Sequence, residues 1–200
     1  MTYETILALT TFALVMSITP GPNNLMLLAS GANFGWSRTV PHMLGVSFGF
    51  LVLTLLAGSG LNQLFQAYPV SHSILKLLSV AFMLYLAYKI ATAAPPPSGE
   101  APSVGTPMTF VQAALFQWIN PKAIAMAVSA ISAYAPPSHG IWGVALVALI
   151  FSAINLPTIN IWTMLGTQLR RILDVTWKLR LFNVTAALLL IATLYPILFS

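Results

Sequence analysis

The stretch Thr19-Pro20-Gly21-Pro22-Asn23-Asn24 interrupts an otherwise apolar run from residue 5 to about residue 33. Two prolines around a glycine cannot continue an α-helix, because each proline removes a backbone donor and clashes with the preceding turn. The flanking sequences, ILALTTFALVMSI and LMLLASGA, are too apolar for a loop in water. In hydrocarbon, broken backbone is tolerated only where protein buries it or where it lines a cavity. We therefore predict that this break forms part of a binding site.

The composition is that of an integral membrane protein. Hydrophobic residues make up 58% of the 200 residues and charged residues 6%, against about 25% charged in average globular proteins. The net charge of +5 taken alone suggests a nucleic-acid partner. Four of the basic residues, however, are clustered between positions 170 and 180. On a membrane protein such a cluster indicates a loop that faces anionic lipid. The predicted environment is a lipid bilayer, and no nucleic-acid partner is predicted.

Several kinds of chemistry lack the residues they need. The chain has no cysteine, which excludes disulfides, thiol redox chemistry and thiolate metal ligands. Its three histidines do not cluster with other ligand types, so neither a metal nor another cofactor is predicted. No nucleophile–base pair, P-loop or dinucleotide fingerprint is present. We therefore do not expect an enzyme.

Six segments are apolar and long enough for membrane spans, which need about 20 such residues each. The first segment holds the break at residues 19–24 and, since no basic region precedes it, we expect it to be retained rather than cleaved. A basic amphipathic stretch, residues 167–180, is predicted to lie at the membrane interface. The six segments are residues 5–33, 41–64, 73–93, 109–134, 140–166 and 181–199.

A proline-rich linker, residues 94–107, divides the chain into two halves with three segments each. An odd number of spans per half inverts the second half relative to the first. Each half opens with an interrupted segment, the second at Asn120-Pro121-Lys122, and such a pair indicates the site of an inverted-repeat transporter. We predict an all-α integral membrane protein with six transmembrane helices. Residues 1–93 and 108–200 would form the two inverted three-helix repeats, with the first and fourth helices broken.

The distribution of lysine and arginine predicts the orientation, because cytoplasmic loops carry an excess of both. The basic loops and the linker are accordingly placed in the cytoplasm, and both termini are placed outside. The residues behind this orientation are Arg38, Lys89, Arg170, Arg171, Lys178 and Arg180.

Lys122 is the strongest single candidate for a functional residue. It lies 13 positions after Thr109 and 12 before Tyr134, so either membrane face is about 20 Å away at ~1.5 Å per residue. An ionisable group at that depth indicates function by default, and no span holds an acidic residue at the same depth. We hypothesise that Lys122 alternates between binding an anionic group of a substrate and carrying or releasing a proton. The alternative is a structural lysine that donates to the carbonyls of a broken helix.

The helix breaks themselves offer further binding groups. A helix that restarts after Pro22 or Pro121 presents N–H groups and a positive dipole end to a carboxylate. A half-helix that stops near Ile18 or Trp118 presents free carbonyls to an ammonium. Together these groups suit a zwitterionic amino acid. Asparagine side chains could line the same site, although an asparagine beside a proline is equally often a helix cap; they are Asn23, Asn24, Asn120 and Asn160.

Gly45 and Gly49 form a small-xxx-small pattern in the second segment. Such a pattern lets two helices approach closely. The two glycines therefore indicate either tight packing inside the bundle or the contact of a homodimer.

The chain resembles the LysE/RhtB-type amino-acid exporters, and the resemblance covers nearly all of it. It rests on SITPGPNNLMLLASGANFGW (17–36), on Gly45 and Gly49, and on QWINPKA (117–123). Asn160 with Trp162, and Asn183, are similar to residues of cysteine/O-acetylserine exporters in that group, which also includes homoserine/threonine exporters. The resemblance implies a single translocator domain, residues 1–200, in a bacterial inner membrane. It also implies proton-driven export of small amino acids through motif residues Pro20, Gly21, Pro22, Asn23, Asn120, Pro121 and Lys122.

The absence of an acidic residue from the spans favours a neutral substrate over a basic one. Three other functions are the alternatives to this prediction. A passive channel, or a transporter for another solute or ion, would differ from the predicted exporter in needing no proton gradient or counter-substrate. A non-enzymatic assembly subunit would be held through the Gly45 face. A thiol redox carrier requires paired cysteines, which the chain lacks.

Overall fold

The structure is a computed structural model. It describes residues 1–61, 67, 69–93, 106–135, 137–173 and 175–195, and these ranges contain eight α-helices. A π-helical turn, Ala57–Leu61, follows α3, and a 3-10 turn, Pro137–His139, precedes α7. No strand occurs in these ranges, so the predicted all-α class is confirmed for them. The helices are α1 (Tyr3–Ile18), α2 (Pro22–Phe34), α3 (Trp36–Leu56), α4 (Pro69–Ala91), α5 (Phe110–Phe116), α6 (Pro121–Tyr134), α7 (Gly140–Arg170) and α8 (Thr176–Ala192).

Three stretches of helix are long and apolar enough to cross a membrane. They are Trp36–Gly60, Ser73–Ala91 and Gly140–Arg170, and α1 with α2, bent by 56° at their junction, makes a fourth if the pair is one span. Large apolar side chains point outward from these helices, among them Leu77 and Leu149. Broad exposed apolar surfaces of this kind mark contact with a membrane or a partner. The coarser prediction of a multi-pass helical membrane protein agrees with these features.

Both predicted breaks are places where one helix ends and another begins. Pro22 is the first residue of α2, where its missing N–H leaves no intrahelical bond unmade. Pro121 is likewise the first residue of α6, and the Asn120 side chain caps that helix. The sequence pattern therefore located both helix restarts.

The glycines of the bundle lie where helices cross. A Cβ at Gly31 of α2 would overlap the backbone carbonyl of Thr163, and one at Gly166 of α7 would overlap that of Leu28. A Cβ at Gly45 would overlap the carbonyl of Phe110 in α5, and a Cβ at Gly49 would overlap the backbone of Ala114. Gly45 and Gly49 are thus used for packing within the chain. A homodimer through these two glycines stays a prediction, and this packing gives it no support.

The basic stretch at residues 167–180 is shared between two helices, and its predicted place at the membrane interface stays a prediction. Helix α7 continues to Arg170 and α8 begins at Thr176. Helix α7 reaches Arg170 without a break because neither glycine nor proline occurs between Gly166 and Arg170. The predicted division of the chain at residues 94–107 also stays a prediction, since residues 94–105 lie outside the described residues.

The main apolar core places the breaks at the junction of the two halves of the chain. Side chains from α1, α3, α6 and α7 meet there, including Leu9, Phe50, Met126 and Phe151. The Phe50 and Phe151 rings pack with centroids 4.8 Å apart. Because α1 ends and α6 begins beside this core, the two breaks come together.

Candidate functional site

Lys122 joins the two helix breaks. Its ammonium group donates to the carbonyl oxygen of Thr19 (2.7 Å), to Thr19 Oγ1 (2.8 Å) and to the carbonyl oxygen of Pro20 (3.3 Å). Lys122 stands in the first turn of α6 and Thr19 directly follows α1. The first break and the second therefore form one site, although they are about a hundred residues apart in the chain.

The carbonyl groups at the end of α1 all accept hydrogen bonds from side chains of this chain. Asn24 Nδ2 donates to the carbonyl oxygens of Ser17 and Thr19, both at 2.8 Å, and Trp162 Nε1 donates to that of Ile18 at 3.2 Å. The expectation of free carbonyls near Ile18 is therefore wrong for this conformation. The groups predicted to receive a substrate ammonium instead receive an amide, an indole and the Lys122 ammonium.

Gly21 provides the space that the Lys122 side chain needs. A Cβ at residue 21 would lie 2.7 Å from Lys122 Cδ and 3.2 Å from its Nζ. The Gly21 backbone is extended, with φ −176°, so the requirement at this position is for room and not for unusual backbone geometry. Lys122 thus reaches the end of α1 by passing directly over Gly21.

A pair of amides holds the start of α2 against α5. Asn23 Nδ2 donates to Gln117 Oε1 at 2.8 Å, and Gln117 Nε2 donates back to Asn23 Oδ1 at 3.2 Å. Gln117 is fully buried and also donates to the carbonyl oxygen of Ala113. At the second break, the Asn120 side chain accepts from the backbone N–H of Lys122 at 3.2 Å. Asn23 and Asn120 therefore serve as structural hydrogen-bonding groups here.

A small cavity adjoins the breaks, with a volume of about 20 Å³. That is room for about one water molecule and far too little for an amino acid, so the site is closed in this conformation. The starts of α2 and α6 both face it, and each carries a positive dipole end. None of the described lining residues is acidic. They are Met16, Ser17, Gly21, Asn23, Asn24, Phe50, Asn120, Lys122, Ala123, Met126, Asn155 and Ile159.

Asn155 contributes an acceptor without a partner in the described part of the chain. Its Nδ2 donates weakly to Ser17 Oγ at 3.3 Å, while its Oδ1 is buried and makes no hydrogen bond there. A buried acceptor in this state is unfavourable, and a donor that enters the cavity would satisfy it.

The structure brings most of the predicted site residues together and separates one. Gly21, Asn23, Asn24, Asn120 and Lys122 all line the cavity. The three prolines, Pro20, Pro22 and Pro121, shape the breaks, and Pro20 also offers its carbonyl to Lys122. Asn160 is not among the lining residues, and its Oδ1 accepts from Trp36 Nε1 at 2.7 Å.

Sequence reasoning named Thr19 only as part of the first break, and it gave no site role to four further residues that the structure places there: Ser17, Gln117, Asn155 and Trp162. Thr19 and Gln117 stand inside the two motifs that were quoted, so their neighbours gave a usable signal. Asn155 and Trp162 are distant in sequence from both breaks. Only the packing of α7 against α1 shows their role.

The sequence of this chain is similar to those of known translocators and efflux proteins. The sequence model described as LysE type translocator matches residues 14–193. The cysteine/O-acetylserine efflux proteins of Escherichia coli (strain K12) and Shigella sonnei (strain Ss046) are each 29% identical to this chain over 192 residues, which is 96% of either chain. No solved structure matches.

Proposed function

Given that the chain belongs to the LysE type translocator family, we propose that it is a secondary active transporter of the bacterial inner membrane. It exports small, neutral amino acids or their metabolites and is coupled to the proton gradient. The observation that carries this proposal is the contact of the Lys122 ammonium with the carbonyl oxygens of Thr19 and Pro20. An ammonium group held between two broken helices at membrane depth is a costly arrangement that indicates function.

Lys122 occupies, in the closed conformation, the place of a substrate's own ammonium. The carbonyls at the end of α1 are acceptors suited to a cation. An amino acid that enters with its ammonium toward Thr19 competes with Lys122 for them. The displaced Lys122 ammonium then meets the substrate carboxylate, which also faces the positive starts of α2 and α6. Release of the substrate returns Lys122 to Thr19, and loss or gain of its proton couples that return to the proton gradient.

The lining of the cavity supports a neutral substrate. It offers amides, a hydroxyl, backbone dipoles and one lysine, and its described members include no acidic side chain to hold a second positive charge. The relatives carry names that refer to cysteine and O-acetylserine, both of which are neutral amino acids. A substrate with one ammonium and one carboxylate balances the charge of this site.

We propose further that the chain makes six spans in two inverted repeats, with α1–α2 and α5–α6 as the broken first and fourth spans. The pairing of helices supports this arrangement, since α3 packs against α7 and α4 against α8, each with its counterpart in the other half. Different helices also meet at the two ends of the bundle, as the proposed inversion of the second half expects. Phe12 of α1 stacks near Tyr134 at the end of α6, whereas Gly35 lies beside Arg170.

Efflux from proteoliposomes tests the function. The purified protein is reconstituted into liposomes that contain O-acetyl-L-serine. The efflux of this amino acid is then measured with and without an imposed proton gradient. We expect gradient-dependent efflux that Lys122→Met lowers by about tenfold or more, which corresponds to loss of one charge-assisted hydrogen bond. Lys76→Met, a lysine in α4 away from both breaks, serves as the matched control. Unchanged efflux in Lys122→Met contradicts the proposed role of Lys122, and gradient-independent efflux by the wild type would indicate a passive channel.

A further inference from the structure

The cavity at the helix breaks also borders the main apolar core. Among its lining residues, Phe50, Ala123 and Met126 are members of that core, and Met16 packs against it. The polar lining groups of the two breaks, with the Lys122 ammonium among them, form the rest of the wall near residues 21–24 and 120–122. An amino acid whose ammonium and carboxylate are held at the breaks therefore directs its side chain toward the core.

The apolar wall must yield before a side chain can enter, because a volume of about 20 Å³ holds only about one water molecule. Two of its members are able to yield. Methionine is unbranched, has three rotatable bonds and adapts to irregular gaps. Met16 is only partly buried, and Met126 lies one turn after Lys122 on α6. Both thioether chains can swing aside and open a narrow space beside the breaks.

Phe50 is the part of the wall that is held in place. Its side chain is 1% exposed, and its ring packs against that of Phe151 with centroids 4.8 Å apart. The Phe151 ring in turn meets the Phe12 ring edge-on, with centroids 6.0 Å apart. On the other side, a Cβ at the preceding residue, Gly49, would lie 2.6 Å from Ala114 Cα, so α3 has no room to move toward α5. A ring in such close packing resists displacement.

We propose that Phe50 is a specificity-determining residue, whose ring limits the bound amino acid to a small side chain and excludes aromatic ones. The inference rests on the proposed function in one respect, namely that the helix breaks hold the charged groups of the amino acid. A single methylene in an apolar pocket changes discrimination by about 10–200-fold. A whole phenyl ring that meets a fixed wall should be rejected at least as strongly.

Thermal unfolding in detergent tests this specificity without relying on transport, because a ligand that binds the folded protein raises its melting temperature. O-acetyl-L-serine and L-phenylalanine are the probes, since each has one ammonium and one carboxylate and they differ in the side chain. We expect O-acetyl-L-serine to raise the melting temperature of the wild type and L-phenylalanine to leave it unchanged. In Phe50→Ala, L-phenylalanine should also raise it, with an apparent affinity about tenfold or more above that of the wild type.

Phe116→Ala is the matched control. Phe116 is also 1% exposed, but it belongs to a second core formed by α2, α4, α5 and α8 and does not line the cavity. The control variant loses the same side chain and should gain no affinity for L-phenylalanine. Phe50→Leu is the milder variant to use if Phe50→Ala does not fold, and it too should bind L-phenylalanine more tightly than the wild type does.

Efflux from the proteoliposomes separates failure of this inference from failure of the proposed function. If O-acetyl-L-serine is exported but neither Phe50 variant gains affinity for L-phenylalanine, Phe50 does not set the specificity and the transporter stands. If the variants gain that affinity but no efflux occurs, the role of Phe50 stands and the proposed function is wrong. Three further results would overturn the inference: stabilisation of the wild type by L-phenylalanine, an equal gain in Phe116→Ala, or no stabilisation by either amino acid.

Discussion

At the scale of single residues, Gly21 sets the position of the Lys122 ammonium. A methyl group at residue 21 would lie 2.7 Å from Lys122 Cδ, so Gly21→Ala must push the side chain away from Thr19. The backbone there is extended, and alanine adopts it without strain. We therefore expect Gly21→Ala to fold normally and to lower proton-driven efflux about tenfold, the effect of one lost charge-assisted hydrogen bond.

A double-mutant cycle provides the control for this effect. If Gly21→Ala acts only through the lysine, then adding it to Lys122→Met causes no further loss, because the two changes remove the same contact. Additive losses in the double variant would contradict the positioning role of Gly21.

A substitution at Asn155 is expected to change substrate affinity while leaving stability nearly unchanged. Its buried Oδ1 has no partner in the described ranges, and its one hydrogen bond, to Ser17 Oγ, is long at 3.3 Å. Asn155→Leu removes an unsatisfied acceptor and a weak bond together, so thermal stability in detergent should change by less than about 1 kcal/mol. If Asn155 accepts from the substrate ammonium, the KM for O-acetyl-L-serine should rise about tenfold. A large loss of stability with an unchanged KM would show that the residue is purely structural.

The residue scale also shows what sequence could and could not predict. Lys122 was identifiable because a charge near the middle of an apolar segment is unusual in any bilayer. Its partner Thr19 was not identified, since nothing local links residues on two different broken helices. The contact depends on how the end of α1 approaches the start of α6, which long-range packing decides.

At the scale of helices, glycine–carbonyl crossings hold α2 against α7. A Cβ at Gly166 would overlap the carbonyl oxygen of Leu28, and neither backbone segment can move away as a side chain could. Gly166→Ala must therefore separate the helices, and overpacking of this kind costs about 1–3 kcal/mol. We expect a clear fall in the melting temperature in detergent. Leu165→Ala, at the outward-facing neighbour, is the matched control and should change it little; equal effects in both variants would refute a tight crossing at Gly166.

Proline alone does not determine where the helices of this chain break. Pro41 and Pro157 both lie inside continuous helices, whereas α2 and α6 each begin with a proline. The difference lies in the neighbours, because Pro22 follows a glycine and a further proline, and Pro121 follows an asparagine that caps the helix. Sequence could locate these two breaks since each combines a proline with a second helix-ending residue.

At the scale of the whole molecule, the two halves of the chain interleave. Helix α3 of the first half packs against α5 and α7 of the second, and α2 packs against α7. The apolar character and the helical nature of the segments follow from composition and length, and were therefore predictable. Which segments touch was not predictable, because membrane helices associate through close packing of small residues and interhelical hydrogen bonds. The Asn33–Asn183 pair, which joins α2 to α8, is one such contact that no local pattern reveals.

The absence of cysteine from the sequence makes the proposed six-span orientation directly measurable. Single cysteines are introduced at four exposed positions, Thr2, Ser37, Ser138 and Arg171, and reacted with a membrane-impermeant maleimide. With both termini outside, Thr2→Cys and Ser138→Cys should react in intact spheroplasts, whereas Ser37→Cys and Arg171→Cys should react only in inverted vesicles. The most informative comparison is between residues 2 and 37, which lie before and after the α1–α2 pair. If the 56° bend belongs to a broken span, residues 2 and 37 react from opposite sides; if the pair is a re-entrant loop, both react from the same side and the inverted-repeat proposal fails.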